Sequence, residues 1–124
     1  RSIRSDRYKY IANLNHEETF RCNVTRFMSE MGWAEAARGN PELEGRVDWM
    51  AHRPAEEFYD LNNDPFELDN LAGDPAYAEI SQGLQAELES WMTQQGDRGL
   101  QTELEAYEHT NPAGRPARVK IDGQ

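Results

Sequence analysis

Asp60, Asn62 and Asp64 alternate along one short stretch. Oxygen ligands at that spacing open a calcium-binding loop, which also needs glycine at its sixth position and a bidentate glutamate at its twelfth. Here those positions hold Pro65 and Leu71, so the stretch reads as a strand-ending turn. His16, His52 and His109 have no partner two to four residues on that would suggest a metal site, and read as ordinary surface or half-buried histidines. Cys22 is the sole cysteine, which excludes an internal disulfide and a cysteine-built zinc site. With no histidine near it, it reads as a small buried side chain. There is no Gly-x-Ser-x-Gly elbow and no glycine loop to cradle phosphate. The many carboxylates fall on helix faces, where solvation is their ordinary state. No catalytic constellation is visible.

Composition narrows the partners. The chain has 124 residues, one domain's worth, with 23 Asp and Glu against 13 Lys and Arg and a formal net charge of -10. That balance argues against nucleic acid, whose binding needs a basic face, and against an anionic membrane surface. No run approaches the ~18 apolar residues of a membrane span. Arg1 opens directly on a strand-like run, so a piece of a longer protein is expected. Asn23-Val24-Thr25 is a glycosylation sequon, of a kind common by chance.

The elements that would position any site come next. Ile3, Tyr8, Tyr10 and Ile11 flank the polar Ser5-Asp6-Arg7, which predicts a β-hairpin. Arg4, Arg7 and Lys9 make its surface the densest basic cluster in the chain, read as a solvated face. Asn13 to Arg53 reads as a long insertion with little regular structure. Within it, Val24, Phe27, Met28 and Met31 are spaced for a short helix. Gly39-Asn40-Pro41 ends any helix, and Pro41 to Arg53 is expected to be a loop with one helical turn at most. Trp33 and Trp49 read as packing anchors. Glu56 to Leu61 is the next strand. Asp74 and Pro75 start a long helix whose apolar stripe is Tyr77, Ile80, Leu84, Leu88, Trp91 and Met92, with Gly96 as its stop. Asp97 to Glu108 predicts a second short helix, and His109 to Gln124 a tail. The fold class is therefore α+β, a small antiparallel sheet packed by a long amphipathic C-terminal helix.

Two stretches together, Arg4-Ser5-Asp6-Arg7-Tyr8-Lys9-Tyr10-Ile11 and Glu57-Phe58-Tyr59-Asp60-Leu61, resemble the C-terminal region of sulfatases, in the alkaline-phosphatase-like superfamily. Asp64-Pro65, Glu67, Asn70-Leu71, Asp74-Pro75 and Trp91 continue the pattern in order. Asn13-Leu14-Asn15, the insertion and the helix end at Trp91 to Asp97 are similar to the sulfamidase, heparan N-sulfatase-like branch. The resemblance covers residues 1–96 as a sulfatase C-terminal subdomain, with the insertion at 13–53 and with 97–124 as a helical extension and tail. It implies a sheet of about four strands beside a large α/β catalytic domain absent from this chain.

The resemblance also implies hydrolysis of sulfate esters or sulfamates, on a sulfated carbohydrate, by a formylglycine beside a divalent cation, usually calcium. Formylglycine forms within Cys/Ser-x-Pro-x-Arg, and Cys22-Asn23-Val24-Thr25 does not match. No catalytic or metal residue is therefore carried onto this chain. The segment alone is expected to be inactive, to pack on the catalytic domain and to lend a loop to the cleft rim. Asn15, His16 and Arg21 are the rim candidates, and the exposed side of the hairpin is a domain interface. An exported, periplasmic or lysosomal site follows from the family alone. The alternative is a stand-alone protein-interaction module without catalysis.

Overall fold

The computed structural model describes residues 1–20, 22–23 and 31–110, with side chains described as far as residue 106. Strands β1 (Ser2–Arg4), β2 (Tyr8–Ala12) and β3 (Glu56–Asp60) form one antiparallel sheet in the order β1-β2-β3. Helices α1 (Trp33–Ala37) and α2 (Pro41–Ala51) lie between β2 and β3. A single 3-10 turn, Pro75–Tyr77, leads into α3 (Ala78–Gln94), and α4 (Leu100–Thr110) follows.

The hairpin closes through Ser5, whose amide donates to the Tyr8 carbonyl at 2.9 Å while its hydroxyl accepts from the Tyr8 amide at 2.9 Å. A short polar side chain that satisfies its neighbours' backbone is what such a turn requires. The register pairs Ile3 with Tyr10 and Tyr10 with Phe58. Side chains alternate along a strand, so these apolar residues share one face. Helix α3 covers that face. Tyr10, Phe58 and Leu88 are buried there, with Ile3, Tyr8, Ala12, Leu71, Tyr77, Leu84 and Met92 packed around them. The Tyr8 and Phe58 rings stack at 5.5 Å between centroids, and Tyr77 meets Phe58 at 6.0 Å.

The start of the long helix follows the sequence signal. The Asp74 carboxylate accepts from the Ala76 amide at 2.9 Å, with Pro75 in the first helical position. Gly96, at φ 70°, ends it. The stripe needs correction. The sheet is narrow, and only the line through Tyr77, Leu84, Leu88 and Met92 reaches it. Ile80 and Trp91 flank that line and stay exposed, Trp91 at 52%.

The strand count also differs from the four that the sulfatase resemblance implies, with three among the described residues. Along the edge of β3 away from β2 lies the Asn70-Leu71 segment. The Phe58 amide donates to Asn70 Oδ1 at 2.9 Å, the Leu71 amide to the Phe58 carbonyl at 2.8 Å, and Asn70 Nδ2 to the Glu56 carbonyl at 3.1 Å. A side-chain amide thus does the work of another strand's backbone.

The region expected to be a loop, Pro41 to Arg53, is largely helical. Asn40 caps α2, its Oδ1 accepting from the Glu42 and Leu43 amides at 3.1 and 3.3 Å, and Pro41 opens the first turn. Asn40-Pro41 is thus a helix start as well as a stop. Among the described residues the insertion accordingly holds two helices, α1 packed on α2. No residue of α2 is fully buried. The helix expected around Val24 to Met31 lies largely outside the described residues, as does the tail from residue 111. The second short helix expected after Asp97 is α4.

Candidate functional site

The best-built polar structure in this chain is a pair of buried carboxylates on β3. Asp60 is 1% exposed. Arg7 donates to it from two nitrogens, Nε to Oδ1 at 3.0 Å and Nη2 to Oδ2 at 2.6 Å. The Asn62 amide and Asn63 Nδ2 add two further donors, at 3.2 and 2.8 Å. The Arg7 guanidinium, foremost among these donors, holds the Asp60 carboxyl below the usual carboxylate range. The guanidinium also lies 4.8 Å from the centre of the Tyr8 ring.

Glu57 is 2% exposed. It takes Asn13 Nδ2 on Oε1 at 2.7 Å, and on Oε2 the Tyr59 hydroxyl at 2.5 Å and Arg53 Nη1 at 3.3 Å. Burial, with the Glu57 bond second, raises the Tyr59 phenol above its ordinary value. The Arg53 guanidinium lies 3.5 Å over the Trp49 ring, a cation–π contact. Trp49 is thus half-buried beneath an arginine, whereas Trp33 is 45% exposed and anchors no core, contrary to expectation.

These bonds account for the residue pattern without invoking catalysis. Glu57, Asp60, Arg7 and Lys9 are spent on structure. Lys9 Nζ pairs with Glu67 at 2.9 and 2.7 Å, so the hairpin's basic cluster is largely neutralised within the chain rather than merely solvated. Asp64, third in the alternating set, accepts from the Leu68 and Asp69 amides at 2.7 and 2.9 Å. The turn reading of that stretch stands. Among the described residues no three His, Cys, Asp or Glu side chains are grouped to hold a metal.

Of the rim candidates, Asn15 and His16 are exposed on the loop after β2, where the Asn15 carbonyl accepts from the Glu18 amide at 3.2 Å. Arg21 lies outside the described residues. Cys22 is exposed, not buried as expected. The structure adds a residue that sequence spacing passed over. His52 Nδ1 lies 2.8 Å from Asp48 Oδ1, and His52 Nε2 lies 3.4 Å from the Thr19 hydroxyl. The Asp48 contact sits four residues back and was legible as a helical pair. The Thr19 contact spans 33 positions and was not.

A second feature is an apolar cleft of about 460 Å³ between α1, α2 and the loop after β3. Trp33, Leu43, Val47, Trp49, Met50 and Leu68 line it, with Arg46 the one charged side chain among its lining residues. The Arg46 guanidinium already faces Glu42 at 3.3 Å, and the surface suits contact with another apolar surface. Among the described residues no helix is long and apolar enough to cross a membrane.

No protein-family model matches the chain. Curated relatives do. An ulvan-active sulfatase of Formosa agariphila is 41% identical over 101 residues, covering 78% of this chain and 18% of that protein. A second ulvan-active sulfatase of the same organism is 34% identical over 132 aligned positions, covering 98% of this chain and 22% of its own length. The multifunctional alkaline phosphatase superfamily protein PehA of Trinickia caryophylli is 46% identical over 43 residues, 35% of this chain. The chain thus spans about a fifth of the length of the sulfatases it matches. It is homologous to them over that stretch, which supports its reading as a sulfatase C-terminal region.

Proposed function

We propose that residues 1–96 form the C-terminal subdomain of a sulfatase that hydrolyses sulfate esters or sulfamates on a sulfated carbohydrate. The observation that carries the reading is the 41% identity to an ulvan-active sulfatase along 78% of this chain. In this reading residues 97–124 are an extension and tail, and the catalytic domain belongs to the same protein. Formylglycine and the divalent cation, calcium by family resemblance, reside in that domain. This chain contributes scaffold and cleft rim, with Asn15, His16 and Arg21 as rim residues, and is inactive alone.

The sulfamate branch stays within the proposal on Asn13-Leu14-Asn15 and the helix end at Trp91 to Asp97. The apolar cleft beside α2 supports a docked domain. Trp33, Leu43 and Leu68 are each more than two-fifths exposed around it, and Phe66, on the same loop as Leu68, is 79% exposed. Isolated helices as short as α2 are marginal in water, so a partner against that face would steady it.

Mass measurement and peptide sequencing of the natural polypeptide across Arg1 test the assignment. The expected result is a much heavier chain with a Cys/Ser-x-Pro-x-Arg segment upstream and sulfate release from a sulfated oligosaccharide. A natural product of 14.3 kDa that starts at Arg1 and has no bound catalytic chain would overturn it.

A further inference from the structure

Leu43, Val47 and Met50 stand at i, i+4 and i+7 on α2, one helical stripe. With Trp33 of α1 and Leu68 of the loop after β3 they line the cleft of about 460 Å³. A second hollow of about 300 Å³ adjoins it, sharing Arg46, Trp49 and Leu68 and adding Glu42 and Glu67. The two make one trough, apolar in the cleft and bordered by carboxylates in the hollow. Its base is fixed to the sheet, because Trp49 lies under the Arg53 guanidinium and Arg53 donates to Glu57 on β3.

The charge around the trough is one-sided. Helices α1 and α2 carry Glu35, Glu42, Glu44 and Asp48 against Arg38 and Arg46. Both arginines are taken within the helices, Arg38 by Glu35 at 2.6 Å and Arg46 by Glu42 at 3.3 Å. Glu44 and Asp48 leave the helix pair net acidic.

Resting on the sulfatase reading above, we infer that this trough seats an apolar ridge bordered by lysine or arginine, carried by the part of the same polypeptide that lies outside this chain. Apolar side chains of the ridge cover the stripe, and its cations meet the acid border. The Glu42–Arg46 pair is exposed on both sides, so an incoming cation takes Glu42 at small cost. The sulfatases that match this chain have about four-fifths of their length outside the matched stretch. A surface tethered in that way meets the trough at a roughly millimolar effective concentration without a second molecule. A second copy of this chain is the poorer occupant. It brings the same acid border and its own net charge of -10, and like charge opposes the contact.

Hydrogen exchange on the intact natural polypeptide tests this, comparing wild type with Trp33→Ser, Leu68→Ser and Glu42→Lys. Each variant is expected to speed exchange of the α2 amides about tenfold. A segment upstream of Arg1 is expected to lose protection in step, while Tyr8–Ala12 and Glu56–Asp60 keep theirs. Faster exchange in α2 with no upstream segment following, or no change in either, overturns the inference. So does protection of α2 that rises with protein concentration alongside a dimer in sedimentation, which would make a second copy the occupant. If Trp33→Ser unfolds the insertion, the variants at exposed Leu68 and Glu42 decide alone. A polypeptide that shows the paired loss of protection but releases no sulfate from a sulfated oligosaccharide would sink the sulfatase reading and keep the docking. A natural product that starts at Arg1 would overturn both.

Discussion

Arg7, in the hairpin turn, forks two donors onto both oxygens of Asp60, the last residue of β3, across 53 positions of sequence. The planar guanidinium matches the carboxylate in a way that a lysine ammonium does not. Arg7→Ala should lower the melting temperature, and Arg7→Lys should restore less than half of the loss. Thermal denaturation of the three proteins side by side checks this.

The same pair sets an acid limit. Asp60 has a folded pKa below its unfolded value, chiefly through Arg7. Its contribution is then fully present above the unfolded carboxylate value of about 4 and is lost as pH falls through the folded value. Asp97, held down first by Arg1, acts in the same direction. Asp60→Asn should flatten the acid limb of a plot of melting temperature against pH without abolishing it. An unchanged limb would show that Arg7 does not bias Asp60.

An alkaline limit comes from Tyr10, whose phenol is pushed up to about 12, by burial first and by Glu56 second. The neutral phenol is the form the fold keeps. The stability it contributes is present below the unfolded value of about 10 and is lost as pH rises through the folded value. Tyr10→Phe should remove part of the loss between those values, with Tyr59 supplying the remainder. Ultraviolet titration of tyrosinate alongside the melting curve separates the two.

Within α3, burial ranks the side chains. Leu88 is 3% exposed and Trp91 52%. Leu88→Ala should cost about 2–5 kcal/mol, by lost burial and the cavity left behind. Trp91→Ala in this chain should change stability by less than about 0.5 kcal/mol. Denaturant midpoints that reversed this order would contradict the placement of the helix face.

Asn70 offers a sharper case. Removing its amide leaves the Phe58 N–H without its acceptor, and Asn70→Ala should cost about 1–3 kcal/mol. Hydrogen exchange at Phe58 should accelerate, while amides of β2 that face β1 keep their protection. Uniform loss of protection would mean that the edge is not held locally.

The parts of the fold that could be read from the chain are those fixed by short-range rules. Alternation around Ser5-Asp6-Arg7 placed the hairpin, and Asp74-Pro75 with Gly96 bounded the long helix. Helix α2 is the harder case: Leu43, Val47 and Met50 keep helical spacing, but Trp49 falls off their stripe, and Asn40-Pro41 signals a stop as readily as a start. The carboxylate pairings could not be read either. Glu57 finds Asn13 across 44 positions and Asp60 finds Arg7 across 53, and no local period encodes such distances. Asn15 and His16 could be picked as exposed polar residues on a loop. That Thr19 meets His52 depends on how the insertion folds back, which spacing alone does not specify.

The Asn70 bonds along β3 give the sheet a direction of growth. With that margin stitched shut, the edge that the described residues leave for a strand arriving from elsewhere is the three-residue rim of Ser2–Arg4. A rim that short, with a positive charge at its end, is a poor template for runaway stacking. The segment should therefore resist amyloid-like association when made in isolation, despite the apolar surface that it exposes around Trp33 and Trp91.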